Sequence, residues 1–351
     1  MDGVDAALVD GSGELLTTYA QPYTENVATL LQRTAAGDPL SAGDLARLDR
    51  SIAEVFSRAA LKLLDQGRVR PAQVGAIGSH GQNVYHGPRD TPPVTLQLGD
   101  PHVLATLTGI TTVADFRRRD VALGGSGAPL APALHQALFR SDSEDRAVLN
   151  LGGIANLTLL PADPGLPVRG FDTGPASCLM DDWCRRHQRG RYDAEGAWAA
   201  SGQVSSQLVE DWLSDEYFGR LPPKSTGREK FDLGWALAGD RGAGLDPADV
   251  QASLCELTAV SIARALLQQQ ENTQRLLVCG GGVHNIHLVR RLQAALPGVQ
   301  IDSTAVHGLG PDWVEAVLFA HLARAAVAGE TTDLEAVTGA PPHVYGVVFP
   351  A

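Results

Sequence analysis

One pattern is written into this chain twice. The stretch "DGVDAALVDGSGELLTTY" reads as an apolar strand, an Asp10-Gly11-Ser12-Gly13 turn and a second strand, and helices follow it. After the hydrophilic run Ser141-Asp142-Ser143-Glu144-Asp145 the order restarts. "RAVLNL" is a buried strand, "GGIA" a turn, "NLTLLP" a strand, "PVRGFDTGPA" a strand ending in a loop, and "SCLMDDWCRRH" a helix. Hairpin-connected strands followed by helix, repeated in two halves, predict a duplicated α/β fold with two lobes and a cleft between them. The expected segments are 1–141 for the N-terminal lobe and 142–330 for the C-terminal lobe. A tail over 331–351 is expected to pack near the lobe junction.

Helical spacing is clearest in "ARLDRSIAEVFSRAALKLL". There Leu48, Ile52, Val55, Phe56 and Ala59 fall on one face of a helix expected over 41–66. A shorter helix is expected over 23–36. "VGAIGSHGQNVYH" reads as a short strand running into a polar loop, "VTLQLGD" and "TTVADF" as strands, and "PHVLATLTG" as a helix. The segment 190–246 is a polar insertion. The late segments are two helices, "DVQASLCELTAVSIARALLQQ" and "GPDWVEAVLFAHLARAAVAG", and a strand–turn–helix, "RLLVCGGGVHN".

The 351 residues suffice for about two domains. With 44% hydrophobic and 19% charged residues, the chain has the composition of a protein with a sizeable core. A net charge of −12 argues against a nucleic-acid partner, which needs a basic footprint. It leaves an anionic substrate open, because backbone amides and helix N-termini hold phosphate without net positive charge. No apolar run approaches a membrane span, and no basic, cleavable leader opens the sequence. Cys178, Cys184, Cys255 and Cys279 lack zinc spacing and are expected to be free thiols in a reducing cytoplasm.

Several short stretches carry chemistry, each beside an ordinary structural role. "NLGGIAN" (Asn150–Asn156) fits a plain hairpin turn or a backbone nest for phosphate. "VCGGGVHN" (Val278–Asn285) puts three glycines between strand and helix, where α/β folds bind ligands. It is neither G-x-G-x-x-G nor a Walker loop. Asp172 in "GFDTGPA" fits a turn cap or a catalytic base. "GSHGQNVYH" offers Ser79, His80, Gln82 and His86 to a polyol. "FRRRD" with "GGSGAPL" adds cations beside a glycine turn, and arginine pairs bidentately with carboxylate or phosphate. "KSTGREKFD" (Lys224–Asp232) mixes hydroxyl, cationic and anionic side chains. In "GPDWVEA", Asp312 and Glu315 have the spacing of a helix cap.

Taken together, these segments resemble the anhydro-N-acetylmuramic acid kinases, a family of the actin-like, sugar-kinase and heat-shock ATPase superfamily. "GSHGQNVYH", "VADFRRRDVALGGSGAPL", "LNLGGIANLT", "FDTGPASCLMDDW", "PPKSTGREKFDLGW", "VCGGGVHN" and "GPDWVEAVLFAHLA" stand in family order and spacing. The resemblance implies a ribonuclease-H-like fold in both lobes and an enzyme dependent on ATP and Mg²⁺. Such an enzyme opens the 1,6-anhydro ring of anhydro-N-acetylmuramic acid with water and phosphorylates O6, in peptidoglycan recycling. It implies a cytoplasmic homodimer acting on a small amino sugar, with neither nucleic acid nor membrane as partner.

Residue by residue, the resemblance implies that Asp172 is the base that activates water. Glu315, Arg117, Ser79, His80, Gln82 and Asp120 would hold the sugar. Asp2, Gly3 and Asp5 would belong to the first phosphate loop, with Asp2 near Mg²⁺. Asn150, Gly152, Gly153 and Asn156 would form the second phosphate loop, and Gly280, Gly281, Gly282 and Asn285 would line the adenosine site. Family members place an apolar strand and a Gly-Thr-Ser turn before "DGVD". Their absence predicts weakened ATP turnover and stability for this form. The competing expectation is an actin-like nucleotide-binding protein with little or no sugar kinase activity.

Overall fold

The computed structural model describes residues 3–35 and 37–351, so the expected contribution of Asp2 lies outside the described residues. Twelve strands occur among them: β1 (Gly3–Val9), β2 (Leu15–Pro22), β3 (Ile77–Gly78), β4 (Gln82–Gly87), β5 (Val94–Leu98), β6 (Thr112–Ala114), β7 (Arg146–Leu151), β8 (Ile154–Leu160), β9 (Arg169–Pro175), β10 (Arg275–Cys279), β11 (Gln300–Ser303) and β12 (Val347–Phe349). The chain forms two compact units. One is Met1–Leu134 with Trp313–Ala351, the other His135–Asp312.

The second unit is built on one five-stranded sheet of order β11-β10-β7-β8-β9. β7, β8 and β9 run antiparallel to their neighbours in turn, while β7, β10 and β11 are mutually parallel. Three antiparallel strands followed by two parallel ones, with helices around them, is the ribonuclease-H-like arrangement. The sequence of β7 explains its central place. Ala147, Val148, Leu149 and Leu151 are all fully buried, the continuous apolar run of a strand covered on both faces. Over β8 and β9 lies the helix Pro247–Gln269, started by Pro247 in its first turn and by Asp246, whose carboxylate accepts the Ala248 N–H at 2.8 Å. By length and composition this helix could cross a membrane, but it is mostly buried here as a core helix.

In the first unit the strands fall into separate sheets: β1-β2, β12-β6-β3 and the hairpin β4-β5. β1 and β2 are antiparallel and β3 and β6 parallel, the same parts as in the second unit. Among the described residues no strand pairs with both β1 and β3. The helix Ala42–Gly67 behaves as its spacing predicts. Leu48, Ile52, Val55 and Ala59 are buried and Phe56 is half-buried. Ser41 caps its start by accepting the Asp44 N–H at 3.1 Å.

Three elements differ from the sequence reading. "QNVYHG" is a strand rather than a loop. Within it Val84 packs on the apolar cluster that Leu96 and Leu98 of β5 also join, while Asn83, Tyr85 and His86 are exposed, so the strand carries little apolar alternation of its own. Val347–Phe349 adds an antiparallel strand to β6. The helix Val314–Ala328, assigned by the sequence to the segment ending at 330, belongs to the first unit, because its apolar side packs on β1 and β3.

Candidate active site

In the second unit the sheet itself aligns the polar side chains. Asn150 on β7 stands opposite Asn156 on β8, and Asn156 stands opposite Asp172 on β9. Directly opposed residues of neighbouring antiparallel strands project on the same face about 4.5–5.5 Å apart, so the three form one polar row across the sheet. That row meets the carboxyl end of β7 and, beside it, the end of β10, where Cys279 pairs with Asn150. Ligands of open α/β sheets bind outside strand carboxyl ends.

Asp172 is the acid of this row, and its surroundings set its protonation. Burial pushes its carboxyl up to about 6; the Glu229 carboxylate pushes the same way, while a backbone hydrogen bond and the Lys224 ammonium oppose it. That hydrogen bond comes from the Thr226 N–H to Oδ2, at 3.0 Å. The neighbouring backbone is fixed as well. The Asp172 N–H donates to the Lys224 carbonyl at 3.1 Å, and the Tyr217 hydroxyl donates to the Asp172 carbonyl at 2.8 Å. A carboxyl whose proton balance lies near neutrality is suited to take a proton from water.

Two glycine turns flank the row. At Gly280, φ is +81°, and a Cβ there would strike the Asn150 side-chain oxygen, with the Leu151 carbonyl 2.9 Å away. A Cβ on Gly282 would stand 2.6 Å from that of Leu151. The triple-glycine segment therefore packs against the end of β7, which brings Asn150 and Gly280–Gly282 together. Asn285, which stands beside these glycines in the sequence, has a structural task. Its Oδ1 accepts the Leu288 N–H at 2.9 Å and caps the helix Ile286–Ala295, so this oxygen is engaged within the fold.

The first unit carries a second polar group. Arg117 donates from Nε to Nε2 of His80 at 2.9 Å and from Nη1 to the Gly127 carbonyl at 2.7 Å. Its guanidinium is pulled down by burial, while the charges of Glu315 and Asp120 act to raise it. Burial and the neighbouring Arg117 push His80 down to about 3, so its imidazole is neutral at ordinary pH. Its ring stacks on Phe319 with centroids 4.5 Å apart. The Glu315 carboxyl is raised by burial, with Arg117 opposing and Asp5 adding to the rise. Glu315 is nonetheless open to solvent, so it sits in a recess crowded by protein rather than sealed from water.

Other expected residues have distinct places. The Ser79 hydroxyl is buried and has no hydrogen-bond partner among the described residues. With His80, Gln97 and His102 it lines a recess of about 260 Å³, in which the Gln97 Oε1 is likewise unpartnered. The Gln82 Oε1 accepts from the Tyr23 hydroxyl at 3.0 Å. Gly3 and Asp5 lie on β1.

Asp120 corrects the expectation of a sugar contact. It is fully buried, and its oxygens accept from the Gly127 N–H (2.6 Å), the Thr338 hydroxyl (2.8 Å) and the Tyr345 hydroxyl (2.7 Å). It ties the glycine turn to the C-terminal segment. The spacing of Asp312 and Glu315 does not make a cap either: the helix begins at Val314 with no side-chain cap, and Asp312 pairs with His284 at 3.0 Å. Nothing in the sequence pointed to Thr226 as a partner of Asp172, because the contact joins residues 54 apart.

Comparison with known proteins agrees with this picture. The family model described as anhydro-N-acetylmuramic acid kinase matches residues 1–351. A protein of that name from Xanthomonas axonopodis pv. citri is 50% identical over 360 residues, covering 100% of this chain and 95% of the relative. One from Coxiella burnetii (strain Dugway 5J108-111) is 46% identical over 351 residues, covering 99% and 94%. Among solved structures, the chain aligns with component A of the (R)-2-hydroxyglutaryl-CoA dehydratase of Acidaminococcus fermentans at TM-score 0.48 and 10% identity, covering 91% of this chain and 92% of that one. So loose a likeness bears on neither activity nor ligand, and the fold assignment rests on the strand order above. With the family model matched end to end and relatives near 50% identity over the full chain, this protein belongs to the anhydro-N-acetylmuramic acid kinase family.

Proposed function

We propose that the protein is an ATP-dependent kinase that hydrolytically opens 1,6-anhydro-N-acetylmuramic acid and yields N-acetylmuramic acid 6-phosphate and ADP. The observation that carries this reading is Asp172, a carboxyl held near neutrality at the end of a row with Asn150 and Asn156, beside two glycine turns. Asp172 takes a proton from water, and the water oxygen bonds to the anomeric carbon. The electron pair of the broken C1–O6 bond stays on O6. O6 then forms the new bond to the terminal phosphorus, and the bond to the ADP oxygen breaks with its electron pair. The proton on Asp172 returns to solvent. Each bond made matches a bond broken, and no oxidant or reductant is needed.

The remaining residues position the reactants and stabilise charge, which is most of what phosphoryl transfer demands of a protein. Gly152 and Gly153 present backbone to phosphate, and Gly280–Gly282 allow the close approach of the adenosine. In the first unit, Arg117 and Glu315 hold the sugar and His80 keeps Arg117 in place. The unpartnered Ser79 and Gln97 atoms suit a ligand rich in hydroxyl or amide groups. Mg²⁺ supplies charge neutralisation on the phosphates. Magnesium usually keeps several waters and takes only one or two carboxylates, so it needs no dedicated cage. Among the described residues no group of three His, Cys, Asp or Glu side chains forms one. The test is to mix the protein with ATP, Mg²⁺ and the anhydro sugar. ADP release that requires the sugar supports the reading, whereas sugar-independent hydrolysis or binding alone contradicts it.

A further inference from the structure

The motif "KSTGREKFD" has no part in the mechanism above, yet the structure ties it to the site at several points. The Lys224 carbonyl accepts the Asp172 N–H, and the Thr226 N–H donates to the Asp172 carboxylate. Further on, the Phe231 carbonyl accepts from Sγ of Cys178 at 3.7 Å. Between these ties Arg228 reaches the turn after β7. A Cβ on Gly153 would stand 2.6 Å from both Nε and Nη2 of Arg228, so the guanidinium lies against the bare glycine backbone.

Two features make this pair suited to an anion. The carbonyls of the turn are already used: Gly153 accepts from the amides of Ala176 (2.9 Å) and Cys178 (3.1 Å), and Gly152 from Ser177 (3.1 Å). Among the described residues neither glycine N–H donates to a protein acceptor, so the turn offers two free donors. Arg228 is exposed and, among the described residues, forms no hydrogen bond or ion pair. Its charge reaches Asp181 and Cys178 only at longer range. An unpaired guanidinium beside two unpaired amides matches the flat, three-oxygen face of a phosphoryl group.

We propose that Arg228 contacts the terminal phosphoryl group of the nucleoside triphosphate, together with the amides of Gly152 and Gly153. Placed there, it offsets the charge carried by the phosphoryl oxygens during transfer, the part that an arginine finger plays in other phosphotransferases. The tie between Thr226 and Asp172 links the loop that carries this cation to the residue that activates water. The inference rests on the kinase reading.

The experiment measures binding and turnover for the wild type, Arg228→Ala, Arg228→Lys and Gly153→Ala. With Mg²⁺ present, calorimetry should show Arg228→Ala losing about tenfold or more in affinity for the non-hydrolysable triphosphate AMPPNP, and about threefold or less for ADP. Sugar-dependent kcat should fall by about 10²-fold or more, and added guanidinium ion should restore part of it. Gly153→Ala, which pushes the guanidinium aside, should show the same split between the two nucleotides. Arg228→Lys should fall between wild type and Arg228→Ala, because a point charge replaces the planar fork. Equal losses for ADP and AMPPNP, or a lowered Tm with the wild-type ratio retained, would overturn the proposal and leave Arg228 as a counter-charge for Asp181. A wild type without sugar-dependent turnover that still shows the split would instead remove the kinase reading and keep the phosphate contact.

Discussion

The backbone N–H of Thr226 donates to the carboxylate of Asp172 at 3.0 Å, across 54 residues of sequence. One donor satisfies one oxygen and leaves the carboxyl otherwise governed by burial, which is why its protonation sits near neutral pH rather than in the usual carboxylate range. Replacing Asp172 by Asn keeps the size and removes the base. Sugar-dependent turnover should fall by roughly 10²–10⁴-fold, with ADP affinity by calorimetry nearly unchanged.

The same residue predicts a pH dependence. In the unfolded chain the carboxyl titrates near 3.8 and in the folded protein near 6, so the folded state binds the proton more tightly. Its contribution to stability is full below pH 3.8 and is lost as pH rises through 6. Above pH 6.5, Asp172→Asn should therefore be as stable as the wild type or more stable, by at most ~3 kcal/mol from the shift. Denaturant titration should show the full gain at pH 7.5 and roughly half of it at pH 5, which lies about midway between the two titration points. For catalysis the sign reverses, since the base must be ionised: kcat/KM should fall on the acid side of about pH 6.

Asp120→Ala should act on folding. The change leaves the Gly127 amide and the Thr338 and Tyr345 hydroxyls without their acceptor in a buried place. Such a loss costs about 2–5 kcal/mol, read as a lower denaturation midpoint. Its sugar KM, measured well below the melting point, should change far less than that of Arg117→Ala.

His80 fixes Arg117 through one ring nitrogen while its ring stacks on Phe319. His80→Phe keeps the stack and deletes the acceptor. Steady-state kinetics should show KM for the sugar raised by about 10- to 150-fold, the equivalent of one hydrogen bond to a charged group, with a smaller change in kcat.

Much of the second unit could be read from the sequence because its signals are local. The apolar run of β7, the Gly-Gly turn and the triple glycine of 280–282 each announce a strand end, and the sheet places them side by side. What the sequence hid is long-range. Asp120 is expected at the sugar, and only the fold shows Thr338 and Tyr345, more than 200 residues on, closing around it. Arg228 stands in a stretch of mixed hydroxyl, cationic and anionic side chains, and only the fold lays it on Gly153. The strand Gln82–Gly87 gives little signal in the sequence because Val84 is its one aliphatic residue packed on the core.

The most direct measurement compares ADP release by the wild type and by Asp172→Asn, with and without 1,6-anhydro-N-acetylmuramic acid, at pH 7.5 in ATP and Mg²⁺. The account predicts release that depends on the sugar in the wild type and is nearly abolished in a variant that still folds and still binds nucleotide. ADP released equally by both proteins, or released without the sugar, would contradict it.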